Sequence, residues 1–164
     1  MKQILVLLIL GLLSFSCDNS GTDPGDRHFN MSLKYGVGAH NELNTFTDTF
    51  TKDLVLDGTV STKLILSPAE LDSLEARFLS IDIFSYPDTF VAQHGDTVGV
   101  VTPHTTYILR LTRDQRLKVL YWEDALISPD PRAIDLRSVF AFVRTLVEGK
   151  AEYQSLPPAR GGYL

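Results

Sequence analysis

Apolar residues at alternating positions predict strands in both halves of the chain. Between residues 29 and 38, Met31, Leu33 and Tyr35 alternate with polar residues, which is the spacing of a half-buried β-strand. Residues 39–42 are predicted to form a loop. Further strands are predicted over residues 46–56, 60–66, 98–102, 105–112 and 117–122.

A strong turn signal, Asp57-Gly58, joins the predicted strands over 46–56 and 60–66. A three-residue loop with its glycine in the left-handed conformation pairs Leu54 with Val60 on the face that is expected to meet the core. A two-residue loop would instead set two lysines opposite each other, which costs stability. We therefore expect the longer loop.

A second hairpin is predicted around the polar turn over residues 113–116. With that turn, Leu109 pairs with Leu120 and Tyr107 pairs with Trp122. An aromatic cross-strand pair of this kind contributes about 0.2–1 kcal/mol. Trp122 is the only tryptophan, and we assign it to the core; the alternative is an exposed anchor for a partner protein.

Two helices are marked by their capping residues. Ser67-Pro68-Ala69-Glu70 is a capping box with proline at the first helical position, so a helix is expected to begin there. Asp130 before Pro131 predicts the start of the last helix, and Gly149 predicts its end. The order hairpin, helix, hairpin, helix predicts an α+β domain in which an antiparallel sheet of four to six strands carries both helices on one face.

A sheet that is covered by helices on one face leaves its other face open. In the predicted strands, Ile65, Ile108 and Tyr121 point away from the helices. If nothing covers them, they form an exposed apolar patch of the kind that marks a partner site. These three residues are therefore candidates for a partner surface.

The first sixteen residues have the pattern of a signal peptide. Lys2 precedes ten residues, 4–13, that are all apolar except Gly11. A membrane-spanning helix needs roughly 20 apolar residues, so ten suit the apolar region of an export signal instead. We expect the chain to be exported, with residues 1–16 removed.

Cys17, the only cysteine, follows this segment directly. An apolar run, a small residue and then a single cysteine resemble the signal region of a bacterial lipoprotein. The resemblance covers residues 1–17, and it departs from the usual pattern in having Ser14, not leucine, three residues before the cysteine. It implies a diacylglyceryl group on Cys17, whose palmitate-type chains would hold the protein to a membrane of the cell envelope. The alternative is ordinary cleavage after Ser14-Phe15-Ser16, which releases a protein with a free thiol.

Composition sets the remaining boundaries. Residues 18–27 contain no apolar residue and predict a flexible tether that reaches at most about 33 Å. We assign 17–27 to the lipidated cysteine and tether, 28–153 to one α+β domain and 154–164 to a disordered tail.

The formal net charge is −5, and removing Lys2 with the signal peptide makes it −6. Such a domain gains nothing from binding phosphates, so we expect no nucleic-acid partner.

Motifs that would place catalytic residues together, such as GxSxG, HExxH and CxxC, do not occur in the chain. We therefore expect no enzyme, no metal site and no cofactor. The leading hypothesis is a non-enzymatic envelope lipoprotein that binds or scaffolds another envelope protein. One alternative is a periplasmic lipoprotein that binds a small ligand, which would need a pocket between the sheet and the helices. The other alternative is an envelope hydrolase.

Overall fold

The computed structural model describes Pro24, residues 27–93 and residues 99–164. The predicted signal peptide, Cys17 and most of the predicted tether lie outside the described residues. Within the described part, no helix is long and apolar enough to cross a bilayer.

The described chain forms one seven-stranded sheet and three α-helices. The strands are β1 (Phe29–Tyr35), β2 (Asn41–Asn44), β3 (Thr49–Asp53), β4 (Thr59–Lys63), β5 (Thr89–Phe90), β6 (Gly99–Arg113) and β7 (Arg116–Ile127). The helices are α1 (Pro68–Ser80), α2 (Pro131–Glu148) and α3 (Ala151–Gln154). The order of strands across the sheet is β4-β3-β2-β1-β6-β7-β5.

The predicted α+β class is confirmed, whereas the prediction of an antiparallel sheet with four to six strands is wrong in two respects. The sheet is mixed, because β5 runs parallel to β7 at one edge. It also contains β2, which begins in the predicted loop 39–42. A single buried residue of β2, Leu43, faces the core opposite Leu33 of β1, so this short strand shows no alternation in the sequence.

The register of the β3–β4 hairpin differs from the predicted one. Asp53 pairs with Thr59, so Leu54 lies in the turn and does not face Val60. The Leu54 amide donates to the Gly58 carbonyl at 2.8 Å, which closes a longer turn than the sequence predicts. Gly58 is left-handed with φ of 73°, as expected, but Val55 also has a positive φ of 62°, a conformation that no local pattern indicates.

The β6–β7 hairpin has the predicted register. Leu109 pairs with Leu120, and Tyr107 pairs with Trp122 and stacks on it with ring centroids 5.4 Å apart. Residues 99–102 of the predicted edge strand are the first part of β6 rather than a separate element. A shift of register between Val100 and Thr105 lets the strand continue past a proline, which cannot donate to the ladder.

Both helix starts form as predicted. The Glu70 amide donates to the Ser67 hydroxyl at 3.3 Å, and the Ser67 amide donates to the Glu70 carboxylate at 2.7 Å, which completes the capping box of α1. At α2, the Arg132 amide donates to Asp130 at 2.9 Å. Gly149 follows the last residue of α2.

One apolar core lies between the sheet and the helices. Helix α1 contributes Leu74 and Phe78, and the inward-facing strand residues supply most of the rest. Because α1 and α2 share this core, they cover the same face of the sheet. The buried residues of α2 are Ala133, Leu136, Val139, Phe140, Val143 and Val147.

Residues 154–164, for which the sequence predicts no regular structure, begin with the last residue of α3 and then run beside the β3–β4 turn. Arg160 forms an ion pair with Asp57 in that turn. The Tyr163 hydroxyl donates to the Asp53 carboxylate at 2.6 Å. These contacts join the end of the described chain to the hairpin.

Candidate functional site

The face of the sheet opposite the helices has a polar half on β1 to β4 and a mixed half on β6 and β7, where exposed apolar side chains lie beside Arg110 and Thr112. One row of residues across five neighbouring strands runs from Ser61 to Ile108 and continues on β7 to Tyr121. Its members on β1 to β4 are polar or charged: Lys34, Glu42, Thr51 and Ser61. The apolar members are those on β6 and β7.

Four apolar side chains on these two strands form what we call the β6–β7 patch. Leu117, Val119 and Tyr121 occupy alternate positions of β7 and are 57%, 42% and 37% exposed. Ile108 of β6 pairs with Tyr121 and is 36% exposed. No helix of the described chain covers this patch.

The structure brings together two of the three predicted partner-surface residues. Ile108 and Tyr121 are direct cross-strand neighbours in the β6–β7 patch. Ile65 is also exposed, at 47%, but it follows β4 at the opposite edge of the sheet. Four strand spacings, about 19 Å, separate β4 from β6, so Ile65 does not belong to the patch.

Sequence reasoning missed Leu117 and Val119. Strand β7 is apolar at both sets of alternate positions, and Lys118 lies on the set that faces the core. Lys118 is 5% exposed, and its ammonium group donates to the Asp88 carboxylate at 2.7 Å and to the Tyr86 carbonyl. A strand that is apolar on both sides is the signal that could have indicated an exposed apolar face.

Charged groups border the β6–β7 patch. The Arg110 guanidinium lies 5.0 Å from the ring centroid of Phe46, and the Tyr121 hydroxyl hydrogen-bonds Glu123. An apolar centre with a polar rim is the usual composition of a protein–protein interface. The patch therefore has the chemistry of a docking surface.

The start of the described chain approaches the same face. Asn30 lies in one row with Thr112 and Leu117, and its side-chain amide donates to the Pro24 carbonyl at 2.7 Å. Pro24 therefore lies next to Asn30, two strands away from Leu117 of the β6–β7 patch.

A second feature is a cavity of about 230 Å³ between the sheet and the end of α2, which we call the tyrosine cavity. Three tyrosines line it from three elements: Tyr35 from β1, Tyr107 from β6 and Tyr153 from α3. Arg144 and Glu148 of α2 complete the charged part of the wall, with the Arg144 Nε 3.8 Å from Glu148 Oε1. The other lining residues are Gly36, Asn41 and Thr105.

The three phenols of the tyrosine cavity are protonated at neutral pH. Burial raises the pKa of Tyr35 far above its ordinary value, and the negative charge of Glu148 adds to the effect. Burial also raises the pKa of Tyr107 and Tyr153. The positive charge of Arg144 lowers the pKa of all three tyrosines, but by less than the other effects raise it. Each hydroxyl thus keeps its proton, although the Tyr107 hydroxyl already has Thr105 as a hydrogen-bond partner.

No sequence signal indicated the tyrosine cavity, because its residues come from elements far apart in the chain. Tyr35 and Tyr107 occupy core-facing strand positions, where tyrosine is an ordinary filler. Only the folding of α2 and α3 over the ends of β1 and β6 brings their hydroxyls to one place.

A larger cavity, of about 390 Å³, lies beside α1 and is lined partly by Arg27, His28 and Glu75. Its charged groups already have partners. Arg27 binds Asp48 through two hydrogen bonds, of 2.8 and 3.2 Å. Glu75 binds Arg113 and His28. These pairs tie the start of β1 to its neighbours, so the cavity offers little unused chemistry.

Among the described residues, no group of three or more histidine, aspartate or glutamate side chains is placed to hold a metal ion. Comparison with known proteins finds no matching family model, no matching curated protein and no matching solved structure.

Proposed function

We propose that this protein is an envelope lipoprotein, anchored through Cys17, that binds a partner protein with the β6–β7 patch. The observation that carries the proposal is four neighbouring apolar side chains on a sheet face that none of the described helices covers. Contiguous exposed apolar surface of this kind marks interaction sites in proteins that are otherwise well packed.

The patch has the features that concentrate binding energy. Tyr121 is the aromatic residue of the patch, and aromatic residues are enriched among the side chains that dominate interface energetics. The apolar side chains of Leu117 and Val119 are exposed to water in the free protein. Burying them against a partner would contribute about 25 cal/mol of binding free energy for each Å² of apolar surface removed from water. Arg110 and Glu123 at the rim would fix the orientation in which the partner protein binds.

The chain's own tether is a poor occupant of the patch. The Pro24 carbonyl accepts a hydrogen bond from Asn30, two strands away from Leu117, but residues 18–27 contain no apolar side chain. A segment of this composition gains no hydrophobic energy by lying on Leu117 or Val119. A separate protein with an apolar surface is the occupant that the chemistry favours.

The proposed anchor restricts where the partner is met. A tether of ten residues reaches at most about 33 Å, so the domain would stay close to the bilayer. Its net negative charge opposes contact with anionic headgroups. The lipid would hold the protein, and the β6–β7 patch would remain free for a neighbour in the envelope.

Site-specific cross-linking tests the partner. We expect a photoreactive residue at position 119 to give one dominant protein adduct in intact cells, identified by mass spectrometry. The same residue at position 61 is the matched control, since Ser61 is exposed on the polar half of the same face. We expect Val119→Asp to lower the yield of cross-linking through position 108 at least tenfold, by burying a charge in the interface. Equal adducts from positions 119 and 61 would contradict the proposal.

Fatty-acid labelling tests the anchor separately. We expect the wild-type chain to incorporate a clickable palmitate analogue and Cys17→Ser to incorporate none. Since the patch does not include Cys17, the variant should still bind the partner when the two proteins are mixed after purification. A wild-type protein that incorporates no label would refute the lipid anchor. It would not affect the test of the β6–β7 patch, which depends on cross-linking alone.

A further inference from the structure

We propose that the tyrosine cavity binds a small zwitterion of the free amino acid class, independently of the protein partner. Its wall carries hydrogen-bond donors, one cation and one anion within a space of about 230 Å³. None of these groups is needed for the β6–β7 patch, which lies on the other face of the sheet.

The Tyr35 hydroxyl is the observation that points to a ligand. Tyr35 is only 9% exposed, and its hydroxyl makes no hydrogen bond to another described residue. It is nevertheless not sealed in, because no side-chain nitrogen or oxygen of the described chain is both fully buried and unpaired. The hydroxyl therefore faces the cavity, where it can donate to a bound molecule at no cost to the core.

The ring faces of the tyrosines exclude a ligand that binds by stacking, such as a sugar. Tyr107 lies between Trp122 and Phe140, with centroids at 5.4 and 4.6 Å. Tyr153 has Phe50 at 5.5 Å and the Lys52 ammonium 4.5 Å from its ring centroid. Because protein groups pack against both rings, the cavity presents tyrosine hydroxyls to a ligand and not ring faces.

The charges of the cavity match a zwitterion. Arg144 and Glu148 are about half exposed and 3.8 Å apart, which is a weak contact that a ligand can replace. A carboxylate would accept from Arg144 and the Tyr35 hydroxyl, and an ammonium group would donate to Glu148. A simple carboxylate or a simple amine satisfies only one of the two charges.

The size of the cavity limits the ligand. Sites for drug-sized molecules measure about 300–1,000 Å³, and this one is smaller. Gly36 lines the wall, and a Cβ atom there would come within 2.9 Å of the Asn41 amide. A free amino acid with a short side chain is therefore favoured over a peptide.

The six tyrosines of the chain provide a direct measurement. The full-length, detergent-solubilised protein is labelled with ¹³C at the tyrosine ε carbons and titrated with glycine, observed by NMR. We expect saturable shifts of Tyr35, Tyr107 and Tyr153, with no shift of Tyr86, Tyr121 or Tyr163. Acetate and methylamine, each with one half of the charge pattern, should bind at least tenfold more weakly.

Two charge variants and one hydroxyl variant test the assignment. We expect Arg144→Gln and Glu148→Gln each to weaken glycine binding at least tenfold, and Tyr35→Phe to weaken it about threefold to tenfold. The matched controls are Arg132→Gln at the other end of α2 and Tyr86→Phe, whose hydroxyl bonds to the Arg132 carbonyl. Both should bind glycine as the wild type does.

Three results would overturn the proposal. The first is the absence of shifts at the cavity tyrosines up to about 50 mM glycine, a concentration that detects even very weak binding. The second is equal shifts with acetate, glycine and methylamine. The third is unchanged glycine binding in both Arg144→Gln and Glu148→Gln, with folding of each variant verified by its spectrum.

Discussion

Glu75 connects three parts of the fold through one carboxylate. It lies on α1 and accepts from the Arg113 Nε of β6 at 2.6 Å, while its other oxygen lies 2.8 Å from the His28 Nε2 ahead of β1. Its side chain is 12% exposed. Burial alone would raise the pKa of Glu75, but the hydrogen bonds from Arg113 and His28 outweigh burial and hold the pKa below its ordinary value.

A lowered pKa in the folded state makes this carboxylate a pH-dependent source of stability. We expect Glu75→Gln to lower the free energy of unfolding by about 1.5–3 kcal/mol at pH 7, the usual contribution of hydrogen bonds to a charged group. The loss should begin to shrink as the pH falls below the unfolded-state pKa of about 4.5, and it should vanish only below the lowered pKa of the folded state, where the folded wild-type carboxylate is protonated too.

Urea denaturation of both proteins at pH 7 and at pH 3 measures this effect. Asp72→Asn is the matched control, because it removes one exposed negative charge from the same helix and should change little at either pH. A Glu75→Gln penalty of equal size at both values of pH would show that packing, and not the ionised carboxylate, is responsible.

Lys118 interrupts the pattern that would identify the core-facing side of β7. Its charge falls on the core-facing side of β7, where a pattern of alternation assigns the apolar residues. Asp88 and the Tyr86 carbonyl lie close enough to pair with the ammonium group, so the burial is tolerated. Because these partners belong to a different segment, the tolerance could not be read from β7 itself.

At the scale of elements, the start of α1 is fixed by residues that lie next to one another in the chain. Ser67→Ala removes the hydroxyl that accepts from the Glu70 amide. We expect it to lower the free energy of unfolding by about 1 kcal/mol. The matched control is Ser73→Ala within the same helix, where the hydroxyl only bonds back to the Ala69 carbonyl and alanine is the better helix former.

Thermal unfolding followed by circular dichroism compares these two variants. Ser67→Ala should melt at a lower temperature than the wild type, and Ser73→Ala at the same temperature or slightly higher. If both variants lowered the melting temperature equally, the loss would reflect removal of a serine hydroxyl from α1 in general and not the cap.

Local signals account for what was predicted correctly. The caps of α1 and α2 depend on residues within a few positions of each other, and the register of the β6–β7 hairpin depends on one short turn; all three are confirmed. The elements that were missed depend on distant partners. Strand β2 exists because β1 and β3 flank it, and β5 is two residues long and is held only by β7.

The candidate site divides in the same way. Alternation along β6 and β7 correctly placed Ile108 and Tyr121 on the uncovered face, since it needs only the period of a strand. Alternation could not indicate that Ile65 lies far from Ile108 and Tyr121, because the distance depends on the order of strands in the whole sheet. Leu117 was missed because alternation offered no reason to examine both sides of β7.

In the whole molecule, the first half of the domain, β1 to α1, and the second half, β6 to α2, are not separate units. Strand β1 from the first half pairs with β6 from the second along six residues. Helices α1 and α2 bury their apolar residues in one shared core. A substitution that loosens the packing of one half should therefore lower the stability of the other half as well.

A single substitution in α1 tests this unity. Leu74 of α1 is fully buried, and we expect Leu74→Ala to lower the free energy of unfolding by about 2–5 kcal/mol through the cavity it leaves. Trp122, the only tryptophan, lies on β7 in the second half and reports by fluorescence. Its unfolding transition should coincide with that of the far-ultraviolet circular dichroism in both the wild type and the variant. Two separate transitions, with only the dichroism displaced by Leu74→Ala, would mean that the halves unfold independently despite their common core.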